Sequence, residues 1–203
     1  AAPRSLDDAE AVVSMLDRYG IREALVHEHN ARTVRPRDKA NQELTERVAD
    51  EPRLHPVWVL EPPEISGGEA PDRVVERMLG AGVRAARLAM GRLAPHPWLW
   101  EGLCTALERH RVPCFLDFGE TGTRGNPSDF AIQNLRRLAL DHPELPLIFS
   151  DVMGGLGINP AVVPLMGRCP NLHIDICGIL EYWRMVGRKM GPERVLFATA
   201  APF

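Results

Sequence analysis

The sequence predicts an α/β fold, a (β/α)8 TIM barrel, on three observations. Helical stretches alternate with short apolar runs at roughly 30 residues per unit, the length of one crossover unit. No two runs are joined by a hairpin signal, so the strands are parallel and the helices are their crossovers. Polar residues recur at the C-terminal end of run after run, where such a barrel builds its mouth. An open doubly wound sheet would share the first two features. It would also place a glycine-rich phosphate turn after an early strand, and none is present.

The elements follow in order. Ser5 followed by Asp8 reads as a capping-box start, Val12, Val13 and Leu16 give an apolar stripe, and Gly20 sits where a left-handed C-terminal residue belongs. REALVHEH (22–29) is apolar with polar ends, as in a strand covered on both faces. Helices are then expected over 37–50, 71–81, 97–111, 127–141, 160–168 and 179–190. Each precedes an apolar run: LHPVWVL, GVRAARLA, VPCFLDF, LPLIFSD, NLHIDIC and RVLFAT. The reading begins with a helix and ends on its seventh strand. Residues 1–203 are therefore expected to form a single barrel domain incomplete at both ends, without the first strand and the last helix.

With 203 residues, 45% of them hydrophobic and 25% charged, the chain can bury one sizeable core. A net charge of -3 with both signs intermixed gives no basic stripe for nucleic acid and no polybasic patch for a membrane surface. A small-molecule substrate is the partner that remains, with homo-oligomerisation left open. There is no spanning apolar run and no signal-peptide pattern, so the expected compartment is cytoplasmic. Cys104, Cys114, Cys169 and Cys177 form no C-x-x-C pair, which argues against zinc or redox work and for reduced thiols that fill space.

The candidate chemistry lies at strand ends. His27 and His29 in VHEHN are two apart and share a face, which can serve a metal or, in the preferred reading, set His27 in a pocket with His29 outside it. Arg87, in GVRAARLAMG, stands in an apolar strand beside Ala85 and Ala89, where a guanidinium needs a carboxylate or an anionic ligand. Arg84 belongs to the outer or lower surface. Asp117, Asp151 and Asp175 each end or nearly end a buried strand, although aspartate is a poor strand residue. They can bind metal, move protons or pair with Arg87 and His27; the rival reading is that they cap helices or bond loop amides. Glu61 and Glu120 are further mouth candidates, with exposed loop carboxylates as the rival reading. Trp58, Trp98, Trp100, Trp183 and Phe118 can shape a pocket or fill the core.

MLDRYGIREALV, ANQELTERVADEPRLHPVWVLEP, GVRAARL, HPELPLIFSDVMGG, CPNLHIDICGIL and above all GPERVLFATAAPF resemble the amidohydrolase-related family of metal-dependent TIM-barrel hydrolases and decarboxylases. The resemblance implies a metal held by an H-x-H pair on the first strand, histidines on the fifth and sixth, and an aspartate after the eighth. VHEH belongs to the second strand and is not that pair. Asp117 stands at the fifth-strand position, Asp151 near the sixth, and Ala200 where the family's LFGTDWP-like strand ends in aspartate. A methyl group neither ligates a metal nor accepts a proton, so this is a divergent member lacking the usual ligands. Asp117 and Asp151 would turn any surviving site toward oxygen-preferring metals. The implied cofactor is one divalent ion, zinc, manganese or magnesium, or none.

Two function readings follow. The first is an amidohydrolase-like hydrolase, or a related C–C lyase or decarboxylase, acting on a small carboxylate or carbonyl compound at the C-terminal mouth. Its catalytic residues are His27, Asp117 and Asp151, and its substrate contacts are Arg87, His29 and Asp175. The second is a metal-free barrel without catalysis that binds ligand or serves as scaffold, favoured by Ala200.

Overall fold

The computed structural model describes residues 8–28, 36–90, 96–117, 129–150, 162–175 and 183–198. The elements are α1 (Ala9–Tyr19), β1 (Ala24–Val26), α2 (Arg37–Arg47), β2 (Leu54–Leu60), a short α3 (Pro63–Ser66), α4 (Pro71–Gly80), β3 (Ala85–Ala89), α5 (Pro97–Arg109), β4 (Cys114–Asp117), α6 (Asp129–Asp141), β5 (Leu147–Ser150), α7 (Val162–Arg168), β6 (Leu172–Asp175), α8 (Trp183–Met190) and β7 (Val195–Leu196). All seven described strands are parallel and lie side by side in chain order. A doubly wound sheet reverses its strand order at a switch point, and this order never reverses. The fold is of the α/β TIM-barrel class.

Local chemistry starts and stops the helices. Asp8 is itself the N-cap of α1, its carboxylate accepting from the Ala11 N–H at 2.6 Å, so it caps the helix directly and does not act as the third residue of a box opened by Ser5. Gly20 closes α1 at φ 65°, a left-handed conformation that costs glycine little. Helices α4 and α5 open on Pro71 and Pro97, whose missing N–H would have had no helical partner at that position. The strand LHPVWVL forms over its whole length. β1 is shorter than the apolar run 22–29, because an edge strand holds its ladder only where β2 faces it: Ala24, Leu25 and Val26 against Leu54, His55 and Pro56.

Beyond that point a side chain replaces the missing neighbour. Asn41, fully buried on α2, donates from Nδ2 to the Val59 carbonyl at 2.9 Å and accepts from the Val59 N–H through Oδ1 at 2.9 Å. One primary amide thus satisfies both backbone groups of a buried strand residue.

Alternation divides the sheet into two faces. Trp58, Leu60, Ala86, Leu88, Cys114, Leu116, Leu147, Phe149, Leu172 and Ile174 are apolar and buried, and they form one core with the helices. Trp100, Leu103 and Leu107 of α5 and Leu135 and Leu138 of α6 belong to that core. Leu16, Leu44, Val48 and Leu54 make a second cluster beneath α1 and α2. Trp58 fills space and is still satisfied: its Nε1 donates to Thr45 Oγ1 at 2.9 Å, and the Arg77 guanidinium lies 5.3 Å from its ring centroid. The intervening strand residues face the other way, into the barrel interior.

The free thiols Cys104, Cys114 and Cys169 are buried, as space-filling cysteines are; Cys177 lies outside the described residues. Burial, with Glu108 adding to it, pushes the Cys104 thiol up to about 12, and burial raises Cys114 well above the ordinary range. A raised thiol stays protonated and non-nucleophilic near neutral pH.

Two expectations arise here. Asn41→Ala leaves the Val59 N–H and C=O buried without partners and should cost about 3 kcal/mol, read as a lower urea midpoint with unchanged slope. Mass spectrometry after iodoacetamide treatment at about pH 8 should find Cys104 and Cys114 unmodified in the folded protein and modified once denaturant is added.

Candidate active site

The strand register fixes which side chains meet inside the barrel. Val59 pairs with Arg87, Arg87 with Phe115, Phe115 with Ile148 and Ile148 with His173, so these five positions make one rung of the inner face. The next rung toward the C-terminal ends runs through Ala89, Asp117 and Ser150, and Asp175 joins Leu196 at the same level. Barrel mouths of this class lie at those C-terminal ends.

Charge is carried on the inner face of the sheet, which is largely buried from β3 to β6 and open at Leu25 and His55. Arg87 is 9% exposed, Asp175 3% and Ser150 4%. Arg87 and Asp175 each make polar or electrostatic contacts within the chain. Ala85 beside Arg87 on the same strand face leaves room for a long side chain, as small neighbours at alternate positions should. Arg84 points the other way and is exposed.

Glu61 corrects the expectation of an exposed loop carboxylate. It follows β2 in the parity of Val57 and Val59, and its Oε2 accepts from Arg37 Nη1 in an ion pair whose two side chains are each 8% exposed. Burial selects this pairing, because a carboxylate this deep in the fold needs a cation at contact distance. Arg37 Nε is buried and has no hydrogen-bond partner among the described residues.

His27 follows β1 and is partly buried, with contacts of its own; by parity it falls on the face of Leu25 and His55. At Asp117 the described part is the backbone, which places the position on the inner face. His29, Asp151, Glu120, Phe118 and Ala200 lie outside the described residues. Trp58 and Trp100 belong to the core, whereas Trp98 is 69% exposed and stacks on His96 with ring centroids 6.0 Å apart at the start of α5.

Two inner residues escaped the sequence reading. His173 lies two positions before Asp175 on the same face, its Nδ1 3.1 Å from the Asn171 carbonyl oxygen, and period two along NLHIDIC could have found it. Arg37 is the first residue of α2 and looks like surface charge. The signal was helical spacing: Arg37, Asn41, Leu44 and Val48 are all buried, a stripe disguised because two of its four members are polar.

The charges divide by position. His27, Arg37 with Glu61, and Arg87 belong to the β1–β3 side, while Asp117 and Asp175 end β4 and β6. Such an arrangement has the groups to hold an anion and to move protons. Among the described residues, no three His, Cys, Asp or Glu come together to hold a metal ion.

A family model described as Amidohydrolase matches residues 7–203. No curated protein matches the chain. Among solved structures, an uncharacterized TIM-barrel protein from Bordetella bronchiseptica is similar with TM-score 0.71 and 18% identity, over 96% of this chain and 70% of that one. The 5-carboxyvanillate decarboxylase LigW from Sphingomonas paucimobilis gives TM-score 0.68 and 15% identity over 94% and 71%. The 5-carboxyvanillate decarboxylase LigW2 from Novosphingobium aromaticivorans, whose structure holds manganese and 3-methoxy-4-hydroxy-5-nitrobenzoic acid, gives 0.66 and 15% over 96% and 71%.

Proposed function

This chain belongs to the amidohydrolase family, and from that premise we propose that it is an amidohydrolase-like hydrolase or decarboxylase acting on a small carboxylate or carbonyl compound at the C-terminal mouth of its single barrel domain. The observation that carries the reading is the burial of Arg87 and Asp175 on the inner sheet face, where a helix-covered barrel has no structural need of charge. Structural neighbours that are decarboxylases, one with a bound aromatic acid, support the substrate class.

In this reading Arg87 anchors the substrate anion, with His29 and Asp175 as further substrate contacts. His27 moves the proton: from water as its oxygen bonds to a carbonyl carbon, or onto the carbon from which carbon dioxide departs. Asp117 and Asp151 orient His27 and the reacting group. The acids among the described residues do not by themselves make up a metal site. A divalent ion, zinc, manganese or magnesium, held by Asp117 and Asp151, would supply Lewis-acid polarisation. The manganese in LigW2 supports that choice of cofactor class. Among the described residues, no helix is long and apolar enough to cross a membrane.

Alanine at position 200 favours a second reading, a barrel that binds ligand without catalysis.

A panel of small aromatic carboxylates and lactones, followed by carbon dioxide release and by acid production, separates the two readings. Turnover is expected, with KM raised about tenfold or more and kcat held within a few-fold in Arg87→Ala, since an anchor acts on ground state and transition state alike. Binding of panel members with no turnover would leave the second reading. Plasma mass spectrometry should find about one metal equivalent, lost in Asp151→Ala; no metal in either protein would remove the ion from the mechanism.

A further inference from the structure

We propose that Arg37 joins Arg87 in a carboxylate-binding subsite, in which Glu61 is the internal counter-anion that an incoming carboxylate displaces or joins. The inference rests on the proposed reading that the mouth accepts a small carboxylate, and it names the residue that would hold it.

Three observations converge. Arg37 is more than nine-tenths buried, yet its Nε has no hydrogen-bond partner among the described residues while its Nη1 donates to Glu61 Oε2. Buried guanidinium N–H groups are seldom left unpaired, and a ligand oxygen would satisfy this one. Position supplies the second observation. Arg37 lies one helical turn before Asn41, whose amide grips both backbone groups of Val59, and Val59 is the register partner of Arg87. The anchoring of α2 on β2 thus sets the two arginines on either side of one strand residue. The third is the end of the helix itself. α2 has 11 residues and its N-cap, Pro36, offers no side-chain bond to the first-turn N–H groups. The carboxylate of Asp38, the acid in that turn, is turned to Arg77 at 3.3 Å. The positive end of the helix therefore adds to the attraction for an anion beside Arg37.

A carboxylate suits the site better than a phosphate. Glu61 already shows that the Arg37 fork accepts a planar carboxylate, and its own negative charge opposes a second, more highly charged anion.

Glu61 gives the proposal its signature. A structural ion pair predicts that either partner's loss harms only stability. A subsite with a competing counter-anion predicts opposite effects on binding: loss of Arg37 weakens it, and loss of the Glu61 charge strengthens it.

The test is calorimetric titration of the protein with benzoate, with inorganic phosphate for comparison, on variants whose circular dichroism matches the parent. Expected are benzoate binding to the parent, several-fold tighter binding to Glu61→Gln, and binding weakened about tenfold or more in Arg37→Gln, the loss of one charge-assisted hydrogen bond. Should Arg37→Gln fail to fold because Glu61 is left buried alone, the double variant Arg37→Gln with Glu61→Gln removes both charges together and should bind as weakly. Benzoate affinity equal in all variants, no benzoate binding to the parent or Glu61→Gln, or phosphate held more tightly than benzoate would overturn the assignment. Turnover is not read in this experiment. A protein that binds benzoate with this signature and catalyses nothing keeps the subsite and loses the enzymatic reading.

Discussion

Everything in this molecule depends on the continuous apolar layer between the sheet and its helices. Parallel strands with a helix before each must hide one face of every strand, and period-two alternation then commits every other residue to that face. From Trp58 in β2 to Ile174 in β6 the commitment is complete: each outward strand position is apolar and buried. A shift of one residue in any strand would carry a charge such as Arg87 or Asp175 into that layer and an apolar side chain inward. Fixing the layer therefore also fixes the site, because the alternate residues have nowhere to go but the interior.

The interior can accept charge because its depth is graded. The lower rung is mostly apolar, Val59, Phe115 and Ile148, with Arg87 and His173 set among them. The upper rung, at the strands' C-terminal ends, has Ser150 and Asp175 with the backbone of Asp117 between Ala89 and Ser150. Long side chains anchored low can bring their heads up toward the mouth, while short acids must start near it. This is why an arginine can stand in mid-strand but the aspartates stand at strand ends. The first turn of α2 obeys the same logic: Arg37 reaches from a helix to a carboxylate that follows β2 in the inner parity.

Much of this was legible in the sequence and some was not, for identifiable physical reasons. LHPVWVL was readable to its ends because a central strand is apolar on both faces. REALVHEH was overextended, since its length is set by what β2 presents and by Asn41, a contact 18 residues away from Val59 that no local pattern announces. Alternation put Arg87 on one strand face with Ala85 and Ala89, but only the pairing of the strands shows that this face, and that of Asp175, is turned inward. Arg37 was hidden, and Glu61 was named as a mouth candidate only beside the reading of an exposed loop carboxylate, because each, read locally, is a charged residue beside a proline at the boundary of an element. Only their mutual burial distinguishes them from surface charge, and burial of a pair is a tertiary fact. His173 was hidden by a nearer candidate on its own strand.

The alanine at 200 gains meaning from this layout. In the family that the chain resembles, the last strand brings an acid to the mouth, and here the last described strand, β7, lies beside the strand that carries Asp175. A methyl group at the family's acid position leaves that function to the acids already present on neighbouring strands or to none. On the β1–β3 side, the buried Arg37 and Arg87 and the Arg37–Glu61 ion pair stand on elements that do not include position 200. In the proposed reading, substrate anchoring falls to Arg37, Arg87, His29 and Asp175, and proton or metal handling to His27, Asp117 and Asp151. Loss of an acid from the second set need not disturb the first, because no side chain is shared between them. If that reading holds, a barrel built this way can drift in its chemistry while keeping an anion site.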